Sequence, residues 1–228
     1  MKTLFIGLLI FLIFTFTQSL LLLFYILYVQ DDDLARLGES LTTVGYSGSA
    51  IAMAEIPSAI IGVWFVIYFS AKKNRLTAKE YLKLNIPTVL NTLKWLGVMV
   101  LVIITMEITN TVLERDTPDF MSKIYESTDN FLLLWIAVII AAPIFEEFLF
   151  RGFIFEGLRH SRVGMAGAII IPAASWAIIH LQYGWFEIIT IFLIGIILAI
   201  AKYRTESLYI PIFMHMLMNL TASVFMEY

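Results

Sequence analysis

LFIGLLIFLIFTFTQSLLLLFYILYV, running from Leu4 to Val29, is a stretch of 26 residues without a charge. As a helix it would be about 39 Å long at 1.5 Å per residue, enough to cross the roughly 30 Å hydrocarbon core of a bilayer. It far exceeds the roughly 7 to 15 residue core of a signal peptide, and no A-x-A-like cleavage site closes it. It reads as a retained transmembrane helix. The rest of the chain agrees: hydrophobic residues make up 60% of its 228 residues and Asp, Glu, Lys and Arg only 14%, against about 45 to 50% and about 25% in soluble domains. The absence of cysteine removes disulfides, thiolate catalysis and thiolate-bound metals from consideration. A net charge of −3, with no basic block interleaved with aromatics, gives no sign of a nucleic-acid partner.

Working outward from Leu4 to Val29, six further runs have spanning character: roughly Ser49 to Phe69, Thr88 to Met106, Phe131 to Leu158, Val163 to Leu181, Trp185 to Ala201 and Ser207 to Met226. The expected fold is an all-α polytopic transmembrane bundle of about seven spans, joined by short connectors into one integrated membrane domain. Lys and Arg are enriched in cytoplasmic loops. A cytoplasmic N-terminus places Lys2, Lys72, Lys73, Arg75, Lys79, Lys83, Arg151, Arg159, Arg162, Lys202 and Arg204 inside, against Arg36, Arg115 and Lys123 outside. That ratio selects the orientation and leaves Asp31-Asp32-Asp33 and the acidic stretch from Glu114 to Asp129 outside. In the connector after the second run, Thr77 and Glu80 have capping-box spacing. Leu76, Tyr81, Leu82 and Leu84 alternate there with Lys79 and Lys83, which suits an interfacial amphipathic helix or a solvated connector.

Ionisable groups inside spans carry the chemical information. Glu146 and Glu147 stand side by side in an apolar run, although a charge at a bilayer centre costs about 2.5 to 3.5 kcal/mol on insertion scales. Glu147 and Arg151 are spaced i, i+4 and share a helix face, whereas Glu146 lies about 100° away. One glutamate is thus neutralised by the arginine and the other is free to face a cavity, where a desolvated carboxylate suits a general base. Pro143, just upstream, removes a backbone hydrogen bond and kinks the helix. His215 and Asn219 are again i, i+4 on the last span, and His180 sits near the end of the fifth, somewhat towards the outer side. Taken singly, each has a structural reading: a buried tether for Glu147 and Arg151, an interhelical hydrogen bond for His180, interhelical glue for Asn219. Jointly those readings weaken, since tethers alone have no need of two imidazoles and a spare carboxylate. Lys94 near the end of its span can snorkel, Glu107 can reach water, His160 belongs to a basic loop, and Glu55 beside Pro57 has no assigned partner.

Three ordered patterns, Glu146-Glu147-x-x-x-Arg151-Gly152, Trp176-x-x-x-His180 and Ser207-Leu208-x-x-Pro211-Ile212-x-x-His215-x-x-x-Asn219, resemble the motifs of the CPBP intramembrane proteases. That family includes the type II CAAX prenyl endopeptidases and bacterial proteins linked to bacteriocin maturation and self-immunity. The resemblance spans about residues 131 to 226, with Trp176 where most relatives carry Phe, an exchange that bears on packing. It implies a catalytic core of four helices over residues 131–228, preceded by N-terminal transmembrane helices over 1–130. It also implies that Glu146 activates a water held with His180, that His215 and Asn219 stabilise the tetrahedral oxyanion, and that Glu147, paired with Arg151, positions the helix. Metal-assisted hydrolysis is the competing chemistry, with a zinc ion held by Glu146, His180 and His215. No His-Glu-x-x-His helix occurs, and the metal-free water is placed first.

The expected activity is therefore an intramembrane endopeptidase acting on a peptide or membrane-associated protein, in a multi-pass protein of the bacterial plasma membrane. The alternative is a non-proteolytic immunity or regulatory partner whose polar cluster is a structural network. A proton-coupled transporter is third, since Glu and His also build proton relays, but no internal repeat supports it. Neither a prenylated substrate nor an oligomeric state is legible in the residues.

Overall fold

Each hydrophobic run folds as a helix because in lipid only a helix satisfies its backbone polar groups internally, and no strand occurs among the described residues. The structure is a computed structural model that describes residues 2–29, 40–41, 43–73 and 76–227. Asp31-Asp32-Asp33, Arg36 and Arg75, used above to orient the chain, lie outside the described residues. The helices are α1 (Lys2–Phe24, prolonged by a π-type turn over Tyr25–Val29), α2 (Gly48–Ala71), α3 (Ala78–Leu82), α4 (Val89–Val112), α5 (Asp119–Glu126), α6 (Phe131–Arg159), α7 (Gly164–Ile178), α8 (Trp185–Thr205) and α9 (Tyr209–Glu227).

Six of these are long and apolar enough to cross a membrane: α1, α2, α4, α6, α8 and α9. The fifth expected span differs. α7 has 15 residues, about 22 Å of helix, and the chain turns at Ile179 and His180 before reaching the expected end at Leu181. It still carries the chain between two ends of the bundle. At one end Lys83 and Arg159 meet Glu206 at 3.4 and 2.9 Å, and Lys202 pairs with Glu156. At the other, beyond α7, Tyr183 donates to Met121 Sδ at 3.0 Å and Arg115 pairs with Glu187. Of the basic residues in the loop count, Lys83, Arg159 and Lys202 thus lie at one end and Arg115 at the other, whereas Arg151 is buried within the bundle beside Glu147.

The connector after α2 is a helix with both capping-box hydrogen bonds formed. Its Tyr81 and Leu82 are buried in protein, with the Tyr81 hydroxyl donating to the Phe153 carbonyl at 3.1 Å. One face of α3 is thus packed on protein and pins the basic end of α6, while Leu76, Lys79 and Glu80 stay exposed. Near the middle of the bundle Phe145 of α6 stacks on Phe14 of α1 at 4.1 Å. Its ring also occupies the space that a Cβ at Gly62 would take, so glycine there lets α2 approach α6 one residue from Glu146. α4 lies at the periphery, resting mainly on α9 with only Met99 fully buried.

At the basic end Glu206, which has φ 48°, joins three elements. Its backbone carbonyl accepts from Asn85 at 2.8 Å and its carboxylate meets Lys83 and Arg159. Partial burial pushes this carboxyl up, but the hydrogen bond and charge of Arg159, together with Lys202 and Lys83, outweigh it and hold the group below the ordinary carboxylate range. A depressed carboxyl stabilises the fold above its unfolded pKa and stops doing so as pH falls through the folded value. Glu206→Gln is accordingly expected to lower stability in detergent at pH 7 by on the order of 1 kcal/mol, the scale of a partly exposed network. The difference from wild type should vanish as acid protonates Glu206; melts that differ equally at pH 7 and well below 4 would contradict this.

Candidate active site

α6 supplies the two glutamates and is not a uniform helix. It passes into π geometry over Ile136–Ala141, returns to α over Ala142–Glu147 and becomes π again over Phe148–Ile154. Such π segments often mark functional sites. Here the first has a readable cause. The Ala142 N–H donates five residues back, to the Ala137 carbonyl. In that register the next carbonyl, Val138, would take the N–H of residue 143, but proline has none. Asn219 of α9 fills the vacancy, its Nδ2 donating to the Val138 oxygen at 2.7 Å. The kink expected at Pro143 thus takes the form of a π turn buttressed from a neighbouring helix.

Asn219→Ala is therefore expected to destabilise the protein by about 1 kcal/mol, typical of interhelical hydrogen bonds in membranes. Pro143→Ala, which restores an N–H at that point, should recover most of the loss. Thermal melts of the single and double variants check this, and equal losses in both backgrounds would contradict it.

The polar cluster lies directly after this turn. Glu147 and Arg151 are both fully buried, and Arg151 Nη1 donates to Glu147 Oε1 at 2.9 Å, as their spacing predicts. The same Oε1 also accepts from His215 Nδ1 at 3.0 Å. A carboxylate cannot donate, so Nδ1 carries the hydrogen. His215 Nε2 then lies 3.9 Å from Glu146 Oε2, too far for a direct hydrogen bond, and remains available to a reacting oxygen. Arg151 further donates to the Gly195 carbonyl at 3.4 Å. A Cβ at Gly195 would stand 3.0 Å from that of Ala173 and 3.1 Å from Arg151 Nη2, so glycine keeps α8 close to both. Among the described residues Glu147 Oε2 and Arg151 Nε have no hydrogen-bond partner. An ion pair so incompletely satisfied is a poor device for stability alone.

Glu146 is not unpaired, as its spacing suggested. Its side chain is 16% exposed, and Oε2 accepts a 2.5 Å hydrogen bond from the indole N–H of Trp176 on α7. Trp176 is 1% exposed and organises the whole cluster. Its ring lies edge to face with His215 at 5.1 Å and with His180 at 5.4 Å, and the Arg151 guanidinium sits 4.5 Å over it. From sequence Trp176 reads as a packing residue; the missed signal is that tryptophan, unlike phenylalanine, has an N–H to donate.

The structure brings Glu146, Glu147, Arg151 and His215 together but leaves His180 and Asn219 less directly engaged. His180 occupies the turn after α7, half-buried, with Nδ1 2.7 Å from the Trp176 carbonyl. That carbonyl only accepts, so Nδ1–H is used and Nε2 is the free nitrogen. Asn219 is committed through Nδ2 to Val138. The proposed zinc ligands Glu146, His180 and His215 do not form a ligand cluster: among the described residues no three His, Asp or Glu side chains are grouped to hold an ion, whereas a catalytic zinc takes three protein ligands. Glu55 of α2 is buried and accepts from Gln18 of α1 at 2.5 Å.

Comparison with known proteins places these residues in context. The sequence model for type II CAAX prenyl endopeptidase Rce1-like proteins matches residues 128–221, a stretch that contains Glu146, Glu147, Arg151, Trp176, His180, His215 and Asn219 but not Gln18 or Glu55. The chain is 29% identical over 128 residues to an uncharacterized 24.3 kDa protein of Escherichia coli, an alignment that covers 54% of this chain and 58% of that protein. No solved structure matches.

Proposed function

We propose that this chain hydrolyses a peptide bond in a membrane-associated peptide or protein with a glutamate-activated water, a reading supported by the match of residues 128–221 to the sequence model for type II CAAX prenyl endopeptidase Rce1-like proteins. The observation that carries the reading is the approach of Glu146 to His215 across a 3.9 Å gap, beside Trp176, which donates to Glu146, and the buried Glu147–Arg151 pair.

Glu146 takes a proton from water as its oxygen attacks the scissile carbonyl. In its imidazolium form His215 donates from Nε2 to the oxyanion, while Glu147 on Nδ1 offsets the ring charge and fixes its orientation. Collapse breaks the C–N bond, and the proton held by Glu146 passes to the departing amine. His180, with Nδ1 anchored to Trp176, keeps Nε2 as an acceptor towards the water or substrate. Asn219 contributes by holding the turn that presents Glu146. The loop charges favour a cytoplasmic N-terminus.

The test is direct. Purified protein in proteoliposomes is incubated with farnesylated and unmodified membrane-anchored peptides, and products are weighed by mass spectrometry. Two fragments whose masses sum to substrate plus one water are expected, with cleavage persisting after exhaustive chelation. Loss of cleavage on chelation and recovery with zinc alone would overturn the metal-free mechanism; no cleavage of any anchored peptide would favour the regulatory-partner reading.

A further inference from the structure

Away from the glutamate cluster, a groove of about 420 Å³ runs between α4 and α8 at the basic end of the bundle, lined by Asn91, Lys94, Trp95, Ile200, Arg204 and Thr205. Lys94 lies five residues, about 7.5 Å, inside the start of α4. Arg204 is the penultimate residue of α8. Both are exposed, and among the described residues neither has an ion-pair partner, although Lys83, Arg159 and Lys202 at the same end are all matched with carboxylates. Two cations lining one groove repel each other unless an anion lies between them.

The surroundings identify the anion's class. α4 rests mainly on α9 and leaves Leu90, Leu93 and Leu101 facing outward, so the groove opens sideways to lipid as well as upward to the interface. Trp95 is the kind of amphipathic ring that sits at headgroup depth, Asn91 supplies a polar amide, and Ile200 an apolar wall. Basic pockets between transmembrane helices at this level suit lipid headgroups. We propose that this groove is a binding site for an anionic phospholipid, with Lys94 and Arg204 on its phosphate and its chains along the exposed side of α4. This assignment stands apart from the proteolytic reading.

Native mass spectrometry of the purified full-length chain with added phosphatidylglycerol, phosphatidylcholine or inorganic phosphate tests it. Phosphatidylglycerol should bind in preference to phosphatidylcholine, and Lys94→Gln/Arg204→Gln should weaken it on the order of tenfold. Lys79→Gln/Arg162→Gln, which removes the same charge from exposed positions outside the groove, should bind as wild type. Should the first double variant melt early, the single variants Lys94→Gln and Arg204→Gln should each show part of the loss, and the charge-retaining Arg204→Lys should show none. Equal weakening in both double variants, or no preference for the anionic lipid, overturns the site. Binding of inorganic phosphate alone with the same residue dependence would make it a soluble-anion site and overturn the lipid assignment.

Discussion

Glu146→Gln is expected to lower the turnover of a cleavable anchored peptide by about 10²- to 10⁴-fold, the range that general-base assistance supplies, while the protein still folds and enters the membrane. Glutamine keeps the shape and can still accept from Trp176 Nε1, which now lies 2.5 Å from Oε2, so the change removes basicity and little else. Trp176→Phe makes the complementary cut. It keeps an aromatic ring beside Arg151 and both histidines but deletes the N–H that holds Glu146. The base is retained but less well aimed, so kcat should fall by about tenfold or more, as expected for a reacting group displaced by a fraction of an ångström, with KM little changed. Steady-state kinetics on both variants, with melting curves as the folding control, decide the matter. Full activity in Glu146→Gln would remove Glu146 from the chemistry altogether.

Arg151→Met is expected to have the largest effect on stability, a loss of about 3 to 5 kcal/mol, as when one partner of a buried ion pair is removed. Glu147 has its Oε1 between Arg151 and His215 and is shielded entirely from solvent. Without the guanidinium its charge has no cation within the fold unless His215 protonates. Glu147→Gln/Arg151→Met should be markedly less destabilised than Arg151→Met alone, because replacing both charges removes the uncompensated one. Unfolding monitored in detergent, with membrane abundance as a second readout, measures both variants. A single variant as stable as wild type would mean that the pair is not held in a dry environment, and the charge arrangement described for His215 would fail with it.

Much of the molecule is legible in the chain because lipid imposes strict local rules. The spanning segments follow from hydrophobic length, and the capping box at Thr77 and Glu80 forms as its spacing indicates. The Glu147 to Arg151 pair follows from helical periodicity. The extent of the fifth span was less legible: an apolar run through Leu181 ends as helix at Ile178, since hydropathy does not distinguish a helix from an apolar turn beneath the surface. The role of α3 was also open, because alternation of apolar and basic residues suits lipid, water or protein equally well, and only packing shows Tyr81 and Leu82 inside.

The sequence by itself determined that this is a membrane-embedded helical bundle, which residues are too polar to be idle in lipid, and which of them pair within one helix. Tertiary structure alone decided the partners between helices: His215 with Glu147, Trp176 with Glu146, and Asn219 with the carbonyl that Pro143 leaves unmatched. The reason is physical. Length and hydrophobicity specify that a helix crosses the bilayer, but its rotation and depth are set by packing against its neighbours, and a shift of one residue turns a helix by about 100°, enough to exchange a partly exposed glutamate for a fully buried one.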